Sequence, residues 1–286
     1  MSLVSIESLA ARIGDPSLRI VDVRWYLGRP GAGRAAYAAG HLPGATFVDM
    51  DSDLAAPSGP GRHPLPDPAT FATRMGALGI GDEHDVVVYD DVGGWVAARL
   101  WWMLDDLGHR SVAVLDGGFQ AWTGGGLPVS DTAPSFAVAR LSVAGRWTHV
   151  VDRDEVRSRL GHVVLLDARG APRYRGEIEP IDPVAGHIPT ALNAPTDGNL
   201  AADGRFLPAD ELEARFVALG VPRGGTGAAI DVITSCGSGV SACHNALAMR
   251  IAGMPDPILY PGSWSDWSTA GYPVAIGPDP GEPPGS

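Results

Sequence analysis

Residues 236–242 read Cys236-Gly237-Ser238-Gly239-Val240-Ser241-Ala242, a cysteine at the mouth of a Gly/Ser loop. Two glycines let the backbone curl with its amides pointing inward. Such a nest binds anions, more strongly at the positive end of a helix. A cysteine seated there is favoured as its thiolate and becomes a nucleophile for covalent catalysis. Two chemistries use a thiolate in this setting. Phosphoryl transfer needs an arginine six positions after the cysteine to clamp phosphate, and that position here is Ala242. The other is a soft nucleophile that takes up sulfur as a persulfide. Cys243, the only other cysteine, lies seven residues on, two turns along the same helix face. That spacing suits core packing and is out of disulfide reach.

The loop is placed by its neighbours. The β-branched run 230–234 is apolar without alternation, and 240–252 has helical periodicity. Cys236 therefore stands at a strand-to-helix turn, where an open parallel sheet puts its ligands. Runs 86–90, 112–116 and 163–167 also read as buried strands. Segments 93–107 and 208–219 read as helices. Strands alternating with helices predict an α/β fold with parallel sheets.

The pattern occurs twice. RIVDVRWY (19–26) resembles VLLDARGA (165–172), and AAGHLPGATFV (38–48) resembles VAGHIPTALNA (184–194). LDGGFQAW (115–122) parallels YPGSWSDW (260–267). Asp22 recurs as Asp167, His41 as His187 and Trp122 as Trp267, at offsets of 145 to 146. A constant offset predicts two tandem domains of one fold. The expected organisation is a first domain over 1–130, a linker over 131–148, a second domain over 149–276 and a disordered tail over 277–286. At an offset of 145, Asp91 takes the place of Cys236, so only the second half carries the thiol. Residues repeated in both halves are read as structural: the histidines of the GH(L/I)P turns, and the pairs Asp22/Arg24 and Asp167/Arg169.

A formal charge of −12 argues against nucleic acid and anionic membranes, which attract cations. Two cysteines cannot form a disulfide framework, and the first fifteen residues lack a basic then apolar signal pattern. The charge-poor stretch 224–249 is Gly/Ser-rich and contains Asp231, so it is no membrane span. A cytoplasmic protein with a free thiol is expected.

The CGSGVSA loop, the paired DVR/DAR and GHLPGA/GHIPTA segments and the WYLG after Arg24 resemble the tandem-rhodanese sulfurtransferases over almost the whole chain. The resemblance implies two tandem rhodanese-like domains, each an open five-stranded parallel sheet flanked by helices, with the site at the second domain's loop. It implies transfer of sulfur from a small donor through a Cys236 persulfide to a thiol such as thioredoxin, or to cyanide, with no cofactor or metal. The loop is similar to the mercaptopyruvate version, CGSGVTA, more than to the thiosulfate version, CRKGVTA. Ser238, His63 and Asp51 match a serine, histidine and aspartate that relay a proton to departing pyruvate. Arg173 matches an arginine that holds the donor's anionic end, with Arg175 nearby. Gly237, Gly239, Val240 and Ser241 complete the binding loop. A second arginine expected nine positions after Arg173 is Asp182, which favours thiosulfate. Mercaptopyruvate is the first choice of donor and thiosulfate the alternative. A non-enzymatic sulfur carrier is the third reading and a phosphatase the fourth.

Overall fold

The computed structural model describes residues 2–223 and 230–284; residues 224–229 of the charge-poor stretch, and Gly285 and Ser286 of the tail, lie outside the described residues. The chain forms two compact units. The first comprises Met1–Ala56, Leu65–Thr148 and Ala202–Phe206. The second comprises Pro57–Pro64, His149–Ala201 and Leu207–Ser286.

In the first unit the strands are β1 (Leu3–Val4), β2 (Leu18–Asp22), β3 (Ala45–Phe47), β4 (Asp85–Tyr89) and β5 (Val112–Leu115). They form one parallel sheet in the order β1-β5-β4-β2-β3. The central strands β2 and β4 are buried almost throughout, as expected of a parallel sheet covered on both faces. Leu9, Leu42, Tyr89 and Trp122 are among the side chains that pack against it. Full burial of each such side chain contributes about 1.5–3 kcal/mol.

In the second unit the strands are β6 (Val164–Asp167), β7 (Leu192–Asn193), β8 (Val232–Ser235) and β9 (Ile258–Leu259), in the parallel order β7-β6-β8-β9. The expected fifth strand is shortened to one parallel bridge, Val150 to Leu259. The helix Arg153–Arg159, whose cap Asp152 stands two residues on, leaves little extended chain there. The core includes Leu165, Ile188, Ile233, Trp264 and Trp267.

The duplication extends to individual hydrogen bonds. His41 Nδ1 is 2.8 Å from the Tyr37 carbonyl and its ring stacks on Tyr37; His187 does the same with Tyr174, also at 2.8 Å. The Trp122 and Trp267 indoles donate to the carbonyls of Pro128 and Pro273. Arg24 grips Asp22 and the Gly40 carbonyl, and Arg169 grips Asp167 and the Gly186 carbonyl. Both ion pairs are buried. A buried guanidinium is tolerable because its fork meets a carboxylate and a carbonyl together.

The segment 131–148, read as a linker, is laid along the first unit. The Ala139 N–H donates to the Gly76 carbonyl at 3.0 Å, and Trp147 stacks on Trp102 while donating to the Pro66 carbonyl. In the tail, expected to be disordered over 277–286, two carbonyls have partners. Thr190 N–H donates to the Pro280 carbonyl and His187 Nε2 meets the Asp279 carbonyl. Its prolines cannot form a core, but their carbonyls still serve as acceptors. Among the described residues no helix is long and apolar enough to cross a membrane, and no His/Cys/Asp/Glu group could hold a metal ion.

Candidate active site

The second sheet reverses its order between β6 and β8: the chain moves from β6 to β7 on one side, then to β8 on the other. Clefts form at the carboxyl ends of strands at such a switch point. Asp167 ends β6 and pairs with Ser235, which ends β8. Cys236 is the next residue, and the helix Ala242–Ile251 follows the loop.

Cys236 is 2% exposed. Its N–H donates to Ser263 Oγ at 3.0 Å, and its carbonyl accepts from the Trp264 N–H. The Gly237 carbonyl accepts from the Ser265 N–H at 2.9 Å. The loop is thus clamped by 263–265, which sequence reasoning missed. Gly239 is required by geometry: its φ is +74°, and a Cβ there would lie 2.4 Å from the Pro261 carbonyl oxygen. Ser241 makes no side-chain cap to the helix, and the Cys243 and His244 N–H groups donate to the Val240 and Ser241 carbonyls. Val240 is buried. Cys243 is fully buried, its Sγ 3.4 Å from the Gly239 carbonyl, as core packing requires.

The first unit shows what the loop is shaped to hold. There β2 pairs Asp22 with Tyr89, so the residue corresponding to Cys236 is Asp90, and not Asp91 as the offset of 145 predicts. The second half has one residue more between Asp167 and His187 than the first has between Asp22 and His41, which changes the offset to 146. Asp90 is fully buried, and its carboxylate accepts four backbone N–H groups: Val92 and Gly94 on one oxygen, Val96 and Ala97 on the other, all at 2.8–2.9 Å. Burial raises its carboxyl above the usual range, and the four amides pull it back. At the same offset the counterparts in the second unit are Ser238, Val240, Ala242 and Cys243, of which the Cys243 N–H donates instead to the Val240 carbonyl at 3.2 Å. Asp91 instead accepts the Tyr26 hydroxyl at 2.5 Å, and burial with this bond pushes that phenol to about 12.

The structure brings Ser238 and His63 together. Ser238 Oγ is 2.8 Å from His63 Nδ1, and both residues are buried. Asp51 belongs to the first unit, where it accepts the Trp25 indole N–H at 2.9 Å.

Arg173 carries its guanidinium to the same loop but is held by carboxylates. Its Nη2 donates to Glu179 at 2.8 Å and to Asp182 at 3.1 Å. Glu179 also accepts the amides of Ile181 and Asp182, and meets Arg169 at 3.5 Å. Burial raises the Asp182 carboxyl, Arg62 opposes this, and Glu179 adds to it. Burial opposes the Arg169 cation, yet Asp167 and Glu179 hold its pKa above the ordinary value. Arg175 points away and pairs with Glu177. Sequence reasoning missed Glu179 and Arg62. Arg62 pairs with Asp182, 120 residues away, and no local spacing announces a partner so distant.

A rhodanese-like domain model matches residues 5–124 and again 152–270. The chain belongs to the tandem-rhodanese sulfurtransferases. Its relatives in this family include a "probable 3-mercaptopyruvate sulfurtransferase" of Pseudomonas aeruginosa, 45% identical over 96% of this chain and 98% of that one. The thiosulfate sulfurtransferase of Bos taurus is 37% identical over 91% and 88%. Among solved structures, SseA from Escherichia coli, described as a 3-mercaptopyruvate sulfotransferase with the rhodanese fold, superposes with a TM-score of 0.80 at 33% identity, covering 93% of this chain and all of that one. The chain is thus a sulfurtransferase of this tandem-rhodanese kind, and the carrier and phosphatase readings fall away.

Proposed function

We propose that the protein is a 3-mercaptopyruvate sulfurtransferase with Cys236 as its nucleophile. The Cys236 thiolate attacks the donor sulfur, and the carbon–sulfur bond breaks with its electron pair moving to carbon. The products are a Cys236 persulfide and the enolate of pyruvate. The proton first carried by the donor thiol ends on the pyruvate carbon, leaving the persulfide anionic. The amides of Ser238, Val240 and Ala242, counterparts of three of the four that hold the Asp90 carboxylate in the first unit, would stabilise that charge. The sulfane sulfur then passes to a thiol, such as that of thioredoxin, or to cyanide. A reducing cytoplasm suits this chemistry, since Cys236 must return as a thiol.

The contact between Ser238 and His63 carries the donor choice. An enolate leaving group needs a proton, and a buried hydroxyl–imidazole pair supplies a route for one near neutral pH. Thiosulfate releases sulfite with no such need. The role of Asp51 as a third member rests on the sequence alone.

Steady-state rates with each donor test this reading. Mercaptopyruvate should give the larger kcat/KM, and a clear preference for thiosulfate would reverse the assignment. Mass spectrometry after exposure to donor should show one added sulfur atom on the wild type and none on Cys236→Ser.

A further inference from the structure

Gly237 follows Cys236 directly, and its missing side chain leaves room for two guanidinium groups. A Cβ at this position would lie 3.0 Å from Arg62 Nη2 and 3.4 Å from Arg173 Nη1. Among the described residues these are the nitrogens that no carboxylate holds. Arg62 meets Asp182 through Nη1, while Arg173 meets Glu179 and Asp182 through Nε and Nη2. Asp182 therefore bridges the two arginines from behind, its side chain 4% exposed.

Arg62 is anchored for this position. Its backbone N–H donates to Ser265 Oγ at 3.0 Å, on the same turn that holds the Gly237 carbonyl. Its Nε is buried without a hydrogen-bond partner among the described residues. A buried guanidinium N–H left unpaired is costly, and here it belongs to a side chain aimed at the nucleophile's loop.

We infer that Arg62 is a specificity-determining residue, which with Arg173 forms a two-cation subsite over Gly237 for the carboxylate of a 2-oxo acid donor. The inference rests on the Cys236 reading above. Two guanidinium groups offering one outward N–H edge each suit a planar carboxylate. Charge also favours a monoanion. Arg62, Arg169 and Arg173 are balanced by Asp167, Glu179 and Asp182, so three cations face three anions. A bound monoanion takes this neutral cluster to −1 and a dianion to −2, so the singly charged donor is the less opposed. A basic side chain at position 237 would displace Arg62 from its place, so the bare glycine and Arg62 form one device.

The test compares wild type, Arg62→Gln, Arg62→Lys, Asp182→Asn and the double variant Arg62→Gln/Asp182→Asn. Each is assayed with mercaptopyruvate and checked for folding by thermal melting. Arg62→Gln should raise KM about ten- to hundredfold, with a much smaller change in kcat. Arg62→Lys should recover part of the loss, because it restores charge but not the fork. The double variant should stay impaired relative to Asp182→Asn. If removing Asp182 instead returns Arg62→Gln to the wild-type KM, Arg62 is only the counter-ion of Asp182 and the inference is overturned. Pyruvate should slow alkylation of Cys236 in the wild type and not in Arg62→Gln; equal protection of both also overturns it. Failure of the underlying reading looks different, since the wild type would then gain no sulfur from mercaptopyruvate.

Discussion

Ser238 Oγ and His63 Nδ1 lie 2.8 Å apart, with both residues buried. A proton can pass between them without bulk water. Ser238→Ala and His63→Gln should each lower kcat with mercaptopyruvate on the order of hundredfold, the usual worth of a positioned proton donor. Thiosulfate turnover should change far less, because sulfite needs no proton. Parallel kinetics with both donors measure the difference, and equal losses would remove the pair from the protonation step.

Asp182 predicts a pH effect. Burial lifts its carboxyl above the ordinary value, with Glu179 adding to the rise and Arg62 and Arg173 opposing it. As pH falls through that raised value the carboxylate takes up a proton and loosens its hold on both arginines. KM for the donor should therefore fall on the acid side and rise with pH until Asp182 is fully ionised. Asp182→Asn should lower KM and flatten this dependence on the acid side, where the wild-type carboxylate takes up its proton. The gain should be larger for dianionic thiosulfate than for mercaptopyruvate, since Coulomb attraction scales with ligand charge.

Asp90 fills its own nest, and the first unit depends on it. Asp90→Ala leaves four buried amides without their acceptor. The expected loss is about 3–5 kcal/mol, read as a lower denaturant midpoint by circular dichroism. A loss below about 1 kcal/mol would mean that water replaces the carboxylate in the nest.

Gly239→Ala should disable the loop. The substitution meets both a left-handed φ and the Pro261 carbonyl. Backbone strain of this kind costs about 1–3 kcal/mol, and relieving it would move the Ser238 and Val240 amides. Sulfur loading of Cys236, followed by mass spectrometry, should fall much more than the melting temperature.

The α/β class, the two halves and the Cys236 loop were legible because they are local. A β-branched run, a helical period and a Gly/Ser turn are each written within about ten residues. The repeated histidines and Asp–Arg pairs followed from the constant offset, whereas the tyrosines that stack on those histidines, Tyr37 and Tyr174, lie 137 apart and did not. Asp90 was missed in favour of Asp91 because an offset counts residues, whereas hydrogen-bonded ladders count pairs. The tail and the segment 131–148 lack apolar periodicity, yet the His187 ring and the Thr190 N–H meet the Asp279 and Pro280 carbonyls of the tail.

By itself the sequence determined which residue is the nucleophile candidate, that one half lacks it, and that the loop would curl, since side-chain chemistry and glycine content are local properties. Only tertiary structure decided which charges meet over that loop. Arg62 and Asp182 are 120 residues apart, and they meet only once the chain has folded. Electrostatic pairing depends on distance in space and on burial, and neither is encoded in the spacing of residues along the chain.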